Sequence, residues 1–199
     1  MKRTLVFALV ALLTPMVVQA ENFQPLWDGR TLNGWHVIGK GEWKIQDGAI
    51  HGTHFKSEGE FSHLVTDRSY TNFTLRVKYK TIKGNSGVYF RIEEKGFSGV
   101  SGFQAEIDPV QDAGGLYETN GRAWVSKPTA DQVKTWFKPG EWNEMIVSAH
   151  GRDIVVTVNG KKSAELKNDP GRRFGKIALQ VHGGQDCDVW FKDIEIADE

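Results

Sequence analysis

The sequence Val88-Tyr89-Phe90-Arg91-Ile92-Glu93 is the clearest sign of a β-sheet in this chain, because apolar and polar side chains alternate along it. Successive side chains of a β-strand point to opposite faces of the sheet. The alternation therefore predicts a strand whose buried face carries Val88, Phe90 and Ile92. Arg91 is predicted to lie on the other face, where a ligand can reach it.

Two later segments repeat this alternation, one from Phe103 to Asp108 and one from Lys176 to His182. Their polar residues are Gln104, Glu106, Asp108, Gln180 and His182. If the fold sets the three strands side by side, their polar faces form one cleft able to bind a hydroxyl-rich molecule. The alternative is the solvated face of an edge strand. The aromatic residues nearby in the sequence favour the cleft.

The rest of the chain also consists of short alternating runs, separated by glycine, asparagine, aspartate or proline. The predicted strands are Trp43–Ile45, Ala49–Gly52, His63–Thr66, Phe73–Thr81, Gly87–Glu93, Phe103–Ile107, Met145–His150, Asp153–Val158, Lys176–Val181 and Val189–Ile196. Asn159-Gly160 predicts a type I′ hairpin, and Thr129–Trp136 predicts a short helix with Thr129 as its N-cap. So many strands predict an all-β sandwich or jelly roll of two antiparallel sheets.

The amino terminus has the pattern of a secretory signal peptide. Lys2 and Arg3 precede an apolar run from Leu5 to Val18, and the small residue Ala20 suits cleavage after it. A membrane anchor is disfavoured, since the run is shorter than the ~20 residues that a spanning helix needs. We therefore expect residues 1–20 to be removed, no membrane anchor to remain, and residues 21–199 to form a single exported domain in the periplasm or outside the cell.

Composition disfavours several other partners and sites. The chain has 25 basic and 25 acidic residues, so no net charge attracts nucleic acid. The single Cys187 forbids an internal disulfide. The scattered spacing of His51, His54 and His63 matches no zinc pattern, so no metal site is predicted, while the need for a cofactor is left open.

Candidate site residues follow from the three predicted polar faces and from one long connection. Glu106, in the middle of its face, is the candidate general acid or base, and His182 is a second proton carrier unless it is merely a strand-end residue. The segment Gly114–Trp124 is predicted to be a loop that closes over the cleft. A plain connection does not need its aromatic and charged side chains, so these are predicted to hold the substrate: Tyr117, Glu118, Arg122 and Trp124.

Several motifs together resemble one known family. They are Leu26-Trp27-Asp28-Gly29-Arg30-Thr31-Leu32-Asn33-Gly34-Trp35, Trp43 with Asp47-Gly48, Asn85 to Arg91, Gly102 to Ile107, Gly140-Glu141-Trp142-Asn143, Val158-Asn159-Gly160, Ile177 to His182 and Val189 to Ile194. The pattern is similar to the 3-keto-disaccharide hydrolase domain family. The resemblance implies a concanavalin/laminin-G-like jelly roll and exported hydrolases or lyases that act on sugars oxidised at carbon 3. Many members have glutamate where Gln104 stands and glutamine where Glu106 stands.

Two hypotheses on function follow. The first is an exported hydrolase or lyase of 3-keto glycosides, with Glu106 or His182 as the base and Arg91 or Gln104 polarising the ketone. The second is a non-catalytic carbohydrate-binding module or accessory subunit, which needs the aromatic residues and has no use for a tuned glutamate. A carbohydrate is the expected ligand in both.

Overall fold

The computed structural model describes residues 22–199, and strands make up most of them. The strands are β1 (Gln24–Pro25), β2 (Trp35–Gly39), β3 (Glu42–Gln46), β4 (Ala49–His54), β5 (Ser62–Tyr70), β6 (Phe73–Lys83), β7 (Ser86–Lys95), β8 (Gly99–Ile107), β9 (Leu116–Thr119), β10 (Ala123–Ser126), β11 (Asn143–His150), β12 (Asp153–Val158), β13 (Lys161–Leu166), β14 (Gly175–Val181) and β15 (Cys187–Asp198). One α-helix, α1 (Ala130–Val133), and one 3-10 helix (Lys56–Glu58) complete the elements. The predicted signal peptide lies outside the described residues. Within residues 22–199, no helix has the length and apolar character to cross a membrane.

The strands form two antiparallel sheets. The first has the order β13-β12-β11-β6-β15-β4-β3, with β1 added on β15. The second has the order β10-β9-β8-β7-β14-β5-β2. This is an all-β, concanavalin/laminin-G-like jelly-roll sandwich, and the predicted fold class is confirmed. Neighbouring strands are often distant in sequence, so the sandwich forms only when the whole domain folds.

The core lies between the two sheets and is rich in aromatic side chains. Phe73 of the eight-stranded sheet packs edge-on against Phe90 of the seven-stranded sheet, with ring centroids 6.2 Å apart. Phe90 stacks on Phe103 of the neighbouring strand at 5.5 Å. These three side chains are fully buried. The inward face of β7 and β8 is therefore apolar, which leaves their other face, called the outer face below, for polar residues.

The predicted hairpin turn and the predicted helix N-cap agree with the structure, although α1 covers Ala130–Val133 and does not extend to Trp136 as predicted. Asn159 and Gly160 both have positive φ angles, 50° and 76°, as a type I′ turn requires between β12 and β13. At the start of α1, the Thr129 hydroxyl accepts a bond from the Gln132 backbone N–H. The Gln132 side-chain oxygen in turn accepts from the Thr129 backbone N–H at 2.8 Å. This capping box stabilises a helix that is otherwise too short to persist.

A bulge in β7 corrects the prediction for Arg91. The register between β7 and β8 shifts between Phe90 and Glu93, and Arg91 has a φ of 51°. The extra residue reverses the alternation, so Ile92 packs on the outer face, outside the main core. Arg91 is 1% exposed and donates to the Ala149 carbonyl of the opposite sheet at 3.0 Å. The prediction that Arg91 faces the cleft is therefore wrong.

Candidate functional site

The outer face of the seven-stranded sheet holds a cavity of about 410 Å³, called the outer-face pocket. Its size is that of a site for a small molecule. Six residues predicted from the sequence line it: Gln104, Glu106, Tyr117, Trp124, Gln180 and His182. The three half-polar strands do lie next to one another, because β14 pairs with β7 and β7 pairs with β8. The predicted cleft is therefore present.

Strand register explains how distant residues meet at the pocket. Gln180 on β14 lies opposite His63 on β5, and Glu106 on β8 lies opposite Gly87 on β7. The pairing of β14 with β7 places these four positions in one row across the sheet. Side chains in such a row point to the same face and lie about 5 Å apart. His63, Gln180 and Glu106 thus share one side of the sheet with only a glycine between the last two.

A polar network forms the floor of the pocket. The Tyr89 hydroxyl donates to the Gln104 carbonyl oxygen at 2.7 Å and accepts from the Gln180 amide at 3.0 Å. The Gln104 amide donates to the Gln180 oxygen at 3.4 Å. Burial also raises the pKa of Tyr89, so its hydroxyl stays neutral. Because these three side chains use each other's hydrogen-bonding groups, they support the site more than they offer free groups to a ligand.

Glu106 is the most perturbed acid of the pocket. It is 6% exposed, and its carboxylate accepts a 2.6 Å hydrogen bond from the Asn85 side-chain amide. Burial raises the pKa of Glu106 to about 8, helped by the nearby charges of Asp108 and Asp112, while the bond from Asn85 opposes the shift. Glu106 therefore holds a proton near neutral pH, which an ordinary glutamate does not.

His182 has a defined tautomer. Its Nδ1 lies 2.6 Å from the Gly183 carbonyl oxygen, which only accepts hydrogen bonds, so Nδ1 carries the hydrogen. In the neutral ring Nε2 is then the acceptor. The His182 backbone N–H donates to the Asn85 carbonyl at 3.3 Å. Asn85 thus contacts both His182, through its backbone, and Glu106, through its side chain.

Aromatic residues wall the pocket on the side of β9 and β10. Tyr117 and Trp124 are cross-strand partners, and their rings meet edge to face with centroids 5.3 Å apart. The segment Gly114–Trp124, predicted to be a closing loop, instead contributes a hairpin to the edge of the sheet. The side chains of this segment alternate as in a strand, because Leu116 and Glu118 face inward while Tyr117 faces the pocket. Such a strand presents its aromatic residues from a fixed backbone.

Glu118 and Arg122 were predicted to hold the substrate, and the structure corrects this. Arg122 is ion-paired with Glu118 and makes two hydrogen bonds to Asp169, at 2.9 and 2.8 Å. Neither Arg122 nor Glu118 lines the outer-face pocket. The three residues tie the β9-β10 hairpin to the segment before β14 and form a structural brace.

Asp108 also lies outside the lining of the pocket. Its carboxylate accepts bonds from the backbone N–H groups of Val110 and Gln111, at 2.6 and 2.9 Å, which is the geometry of a turn. It also accepts a 3.3 Å bond from the Asn85 side chain. Asp108 therefore acts on the site through Asn85 and through its charge.

The pocket also has lining residues that the sequence does not predict, which are His63, Asn85, Asp112, Thr119 and Asn120. His63 lies in a predicted strand, but its face also carries the apolar Phe61 and Val65, so no polar face of that strand marks it. Asn85, Asp112 and Asn120 lie outside strands, where no periodicity marks a side chain. In the part of the chain that the structure describes, no three histidine, cysteine, aspartate or glutamate side chains are grouped to hold a metal ion.

The fold and the site together define a jelly-roll protein with a pocket on one sheet, which contains a buried acid and an aromatic wall. The model of the 3-keto-alpha-glucoside-1,2-lyase-like domain matches residues 22–197. The chain therefore belongs to this family.

Individual relatives are similar to this chain in sequence or in fold. A stretch of 86 residues is 33% identical to a 3-keto-disaccharide hydrolase of Bacteroides thetaiotaomicron, covering 39% of this chain and 30% of that protein. The match thus spans less than a third of the relative's length. A candidate glycosyl hydrolase from Parabacteroides distasonis has a similar structure, with a TM-score of 0.67, 22% identity, and coverage of 90% of this chain and 94% of that one.

A carbohydrate-binding module of Bacillus subtilis, CBM66, also has this fold. Its TM-score is 0.66 at 14% identity, and the alignment covers 83% of this chain and 96% of that one. At such identities the two structural likenesses show the fold alone. The family assignment rests on the match over residues 22–197.

Proposed function

We propose that this protein is an exported enzyme that cleaves 3-keto glycosides in the outer-face pocket. One observation carries the proposal beyond the family assignment. Glu106, buried in the pocket, has a pKa raised to about 8, so it can give and take a proton near physiological pH. A carboxyl group that exchanges its proton near pH 8 suits proton transfer, which a module that only binds sugar does not perform.

The proposed reaction begins with the acidity that a ketone confers on the adjacent carbon. The carbonyl group at carbon 3 acidifies the proton on carbon 2. A base removes this proton, a double bond forms between carbons 1 and 2, and the bond from carbon 1 to the glycosidic oxygen breaks. The leaving oxygen takes up a proton from an acid. Addition of water to the double bond then completes a net hydrolysis.

The two proton carriers of the pocket suit these two steps. Nε2 of neutral His182 has a free lone pair, because Nδ1 holds the hydrogen in its bond to Gly183. Glu106 is protonated near neutral pH. We therefore assign the base to His182, whose Nε2 is the acceptor, and the acid to Glu106, which holds a proton near neutral pH. Tyr117 and Trp124 supply the aromatic surface on which a sugar ring packs.

The test is incubation of the purified protein with 3-keto-trehalose or a methyl 3-keto-glucoside, with release of sugar or methanol as the readout. The wild-type protein should release product, and Glu106→Gln should lower kcat by about 100-fold or more, the typical contribution of a general acid. Glu195→Gln is the control, because Glu195 pairs with Arg76 on the other sheet. Product formation no faster than in buffer contradicts the enzymatic proposal.

A second candidate is carbohydrate binding without catalysis, favoured by the aromatic pair Tyr117 and Trp124 at the pocket wall. It predicts that Glu106→Gln leaves sugar binding intact while no 3-keto glycoside is cleaved by either protein. Export is tested separately, by mass spectrometry of the mature amino terminus in the periplasmic or culture fraction. Cleavage after Ala20 is the expected result.

A further inference from the structure

The outer-face pocket has aromatic residues at two opposite edges. Tyr117 and Trp124 form the wall on the side of β9 and β10. Phe61, which directly precedes β5, lines the other edge and is 38% exposed. In the strand order β9-β8-β7-β14-β5 the two edges are four strand spacings apart, about 19 Å between backbones. A single pyranose ring therefore does not reach both walls.

His182 lies at the Phe61 wall. The rings of His182 and Phe61 are in contact, with centroids 4.6 Å apart. His182 follows β14, which is the strand next to β5 in the sheet. The candidate base is therefore beside Phe61 and three strand spacings away from β9, which carries Tyr117.

Glu106 lies on the side of the other wall. Its backbone N–H donates to the Gly115 carbonyl at 2.9 Å, and a Cβ atom built on Gly115 would stand 2.8 Å from the Trp124 ring. Glu106 is on β8, whose neighbour is β9, and only β7 lies between β8 and β14. The candidate acid and the candidate base are thus about 10 Å apart across the sheet, measured between their strands.

The chemistry of the elimination gives these two positions different partners on the substrate. The base takes the proton from carbon 2, which belongs to the keto ring. The acid gives its proton to the glycosidic oxygen, which leaves with the other part of the substrate. The keto ring must therefore lie beside His182, and the leaving group must lie on the side of Glu106.

We propose that the outer-face pocket consists of two subsites in a fixed order. In the keto subsite, Phe61 and His182 contact the 3-keto ring. In the leaving-group subsite, Tyr117 and Trp124 contact the sugar that departs. This proposal rests on the enzymatic function proposed above, and it adds the residues that determine which leaving group is accepted.

The same order of subsites balances the protons when water adds. After the elimination His182 carries the proton from carbon 2, and Glu106 is a carboxylate because its proton left with the departing sugar. Water in the leaving-group subsite gives a proton to Glu106 while its oxygen bonds to carbon 1, and His182 returns its proton to carbon 2. Both residues regain their starting protonation states, so water is the only co-reactant.

The test compares 3-keto-trehalose, which has a sugar as leaving group, with a methyl 3-keto-glucoside, which has only methanol. Trp124→Ala should lower kcat/KM for 3-keto-trehalose about 10-fold, because an aromatic contact with the departing sugar is lost. It should leave kcat/KM for the methyl glycoside unchanged, because methanol is too small to contact the wall. Trp124→Phe keeps an aromatic ring and should recover most of the loss.

Phe61→Ala should instead lower kcat/KM about 10-fold for both substrates, since both contain the keto ring. Trp142→Ala is the control, because Trp142 packs against Lys80 and Lys192 on the other sheet, and it should change neither value. The Tm of each variant is measured alongside. If Trp124→Ala does not fold, Tyr117→Leu provides the same comparison and should also affect only 3-keto-trehalose.

The pattern of losses decides the order of the subsites. If Phe61→Ala slows only 3-keto-trehalose while Trp124→Ala slows both substrates, the order is reversed and the proposal is overturned. It is also overturned if folded Trp124→Ala affects the two substrates equally or affects neither. In these cases the wild-type protein still cleaves 3-keto glycosides, so the enzymatic proposal stands. If the wild-type protein cleaves neither substrate, both proposals are overturned.

Discussion

Gln104 lies directly over Gly87: a Cβ atom built on the glycine would stand 2.6 Å from the Gln104 side-chain nitrogen. The glycine sits on β7 in the row between Gln180 and Glu106, and its missing side chain is the space that Gln104 fills. From there Gln104 reaches Tyr89 and Gln180. The floor of the pocket therefore depends on one residue that has no side chain.

Gly87→Ala should displace Gln104 and break the network on the pocket floor. We expect a loss of about 1–3 kcal/mol in the free energy of unfolding, the usual cost of overpacking, together with weaker sugar binding. Chemical denaturation measures the first and calorimetry the second. Adding Gln104→Ala to Gly87→Ala should recover part of the stability, because the clashing atoms are then gone. If the loss in free energy of unfolding of the double variant equals the sum of the losses of the two single variants, Gly87 and Gln104 are not coupled and this account is contradicted.

Glu106→Gln should change how stability depends on pH. The folded pKa of about 8 lies above the ordinary 4.5, so the native state binds the proton more tightly than the unfolded state. Glu106 therefore stabilises the folded protein most below pH 4.5. This contribution to the free energy of unfolding, on the order of 3–5 kcal/mol, is lost as the pH rises towards 8. Glutamine has no proton to lose. At pH 8.5 the Tm of Glu106→Gln should be higher than that of the wild type, and at pH 4.5 the two Tm values should be similar. If the Tm difference between variant and wild type is the same at both pH values, the raised pKa is refuted.

Arg122→Ala should lower stability and leave sugar affinity unchanged, the reverse of what the sequence predicts for a substrate-binding arginine. It loses two bonds to the buried Asp169 carboxylate. Because Arg122 is itself partly exposed, we expect a modest cost of about 1–2 kcal/mol by denaturation. Asp169→Asn should cost a similar amount. Lys134→Ala, which removes an exposed pair with Asp131, should leave Tm unchanged. If Arg122→Ala instead weakens sugar binding and leaves Tm unchanged, Arg122 is a substrate-binding residue, as the sequence predicts.

Arg91→Met should destabilise the protein through its carbonyl partners. The guanidinium donates to the carbonyls of Thr71, Ala149 and Arg172, at distances from 2.8 to 3.3 Å. Methionine keeps the apolar stem and leaves these acceptors without donors, so we expect a loss of about 2–4 kcal/mol. Thermal and urea denaturation measure it, and Kd for sugar should not change in protein that remains folded. A large rise in Kd at full stability would place Arg91 in the site after all.

The candidate site was predictable where side chains follow a regular strand. Gln104, Glu106, Gln180 and His182 lie in the pocket as their alternation with apolar neighbours indicates. The alternation predicts the wrong face for Arg91, because a single inserted residue in β7 exchanges the two faces beyond it. Nothing in the local sequence marks that insertion, since its partner strand determines where the hydrogen bonds resume.

The sequence alone is sufficient to predict the all-β class, most of the strands, the Asn159-Gly160 turn and the polar faces that form the pocket. These features depend on backbone geometry and on the apolar or polar character of nearby residues, which are local properties. The burial of Glu106 beside Asn85, the burial of His63 and the pairing of Arg122 with Asp169 exist only in the folded protein. Burial, pKa and partner choice depend on strands far apart in the chain, whose register is set when the two sheets pack together.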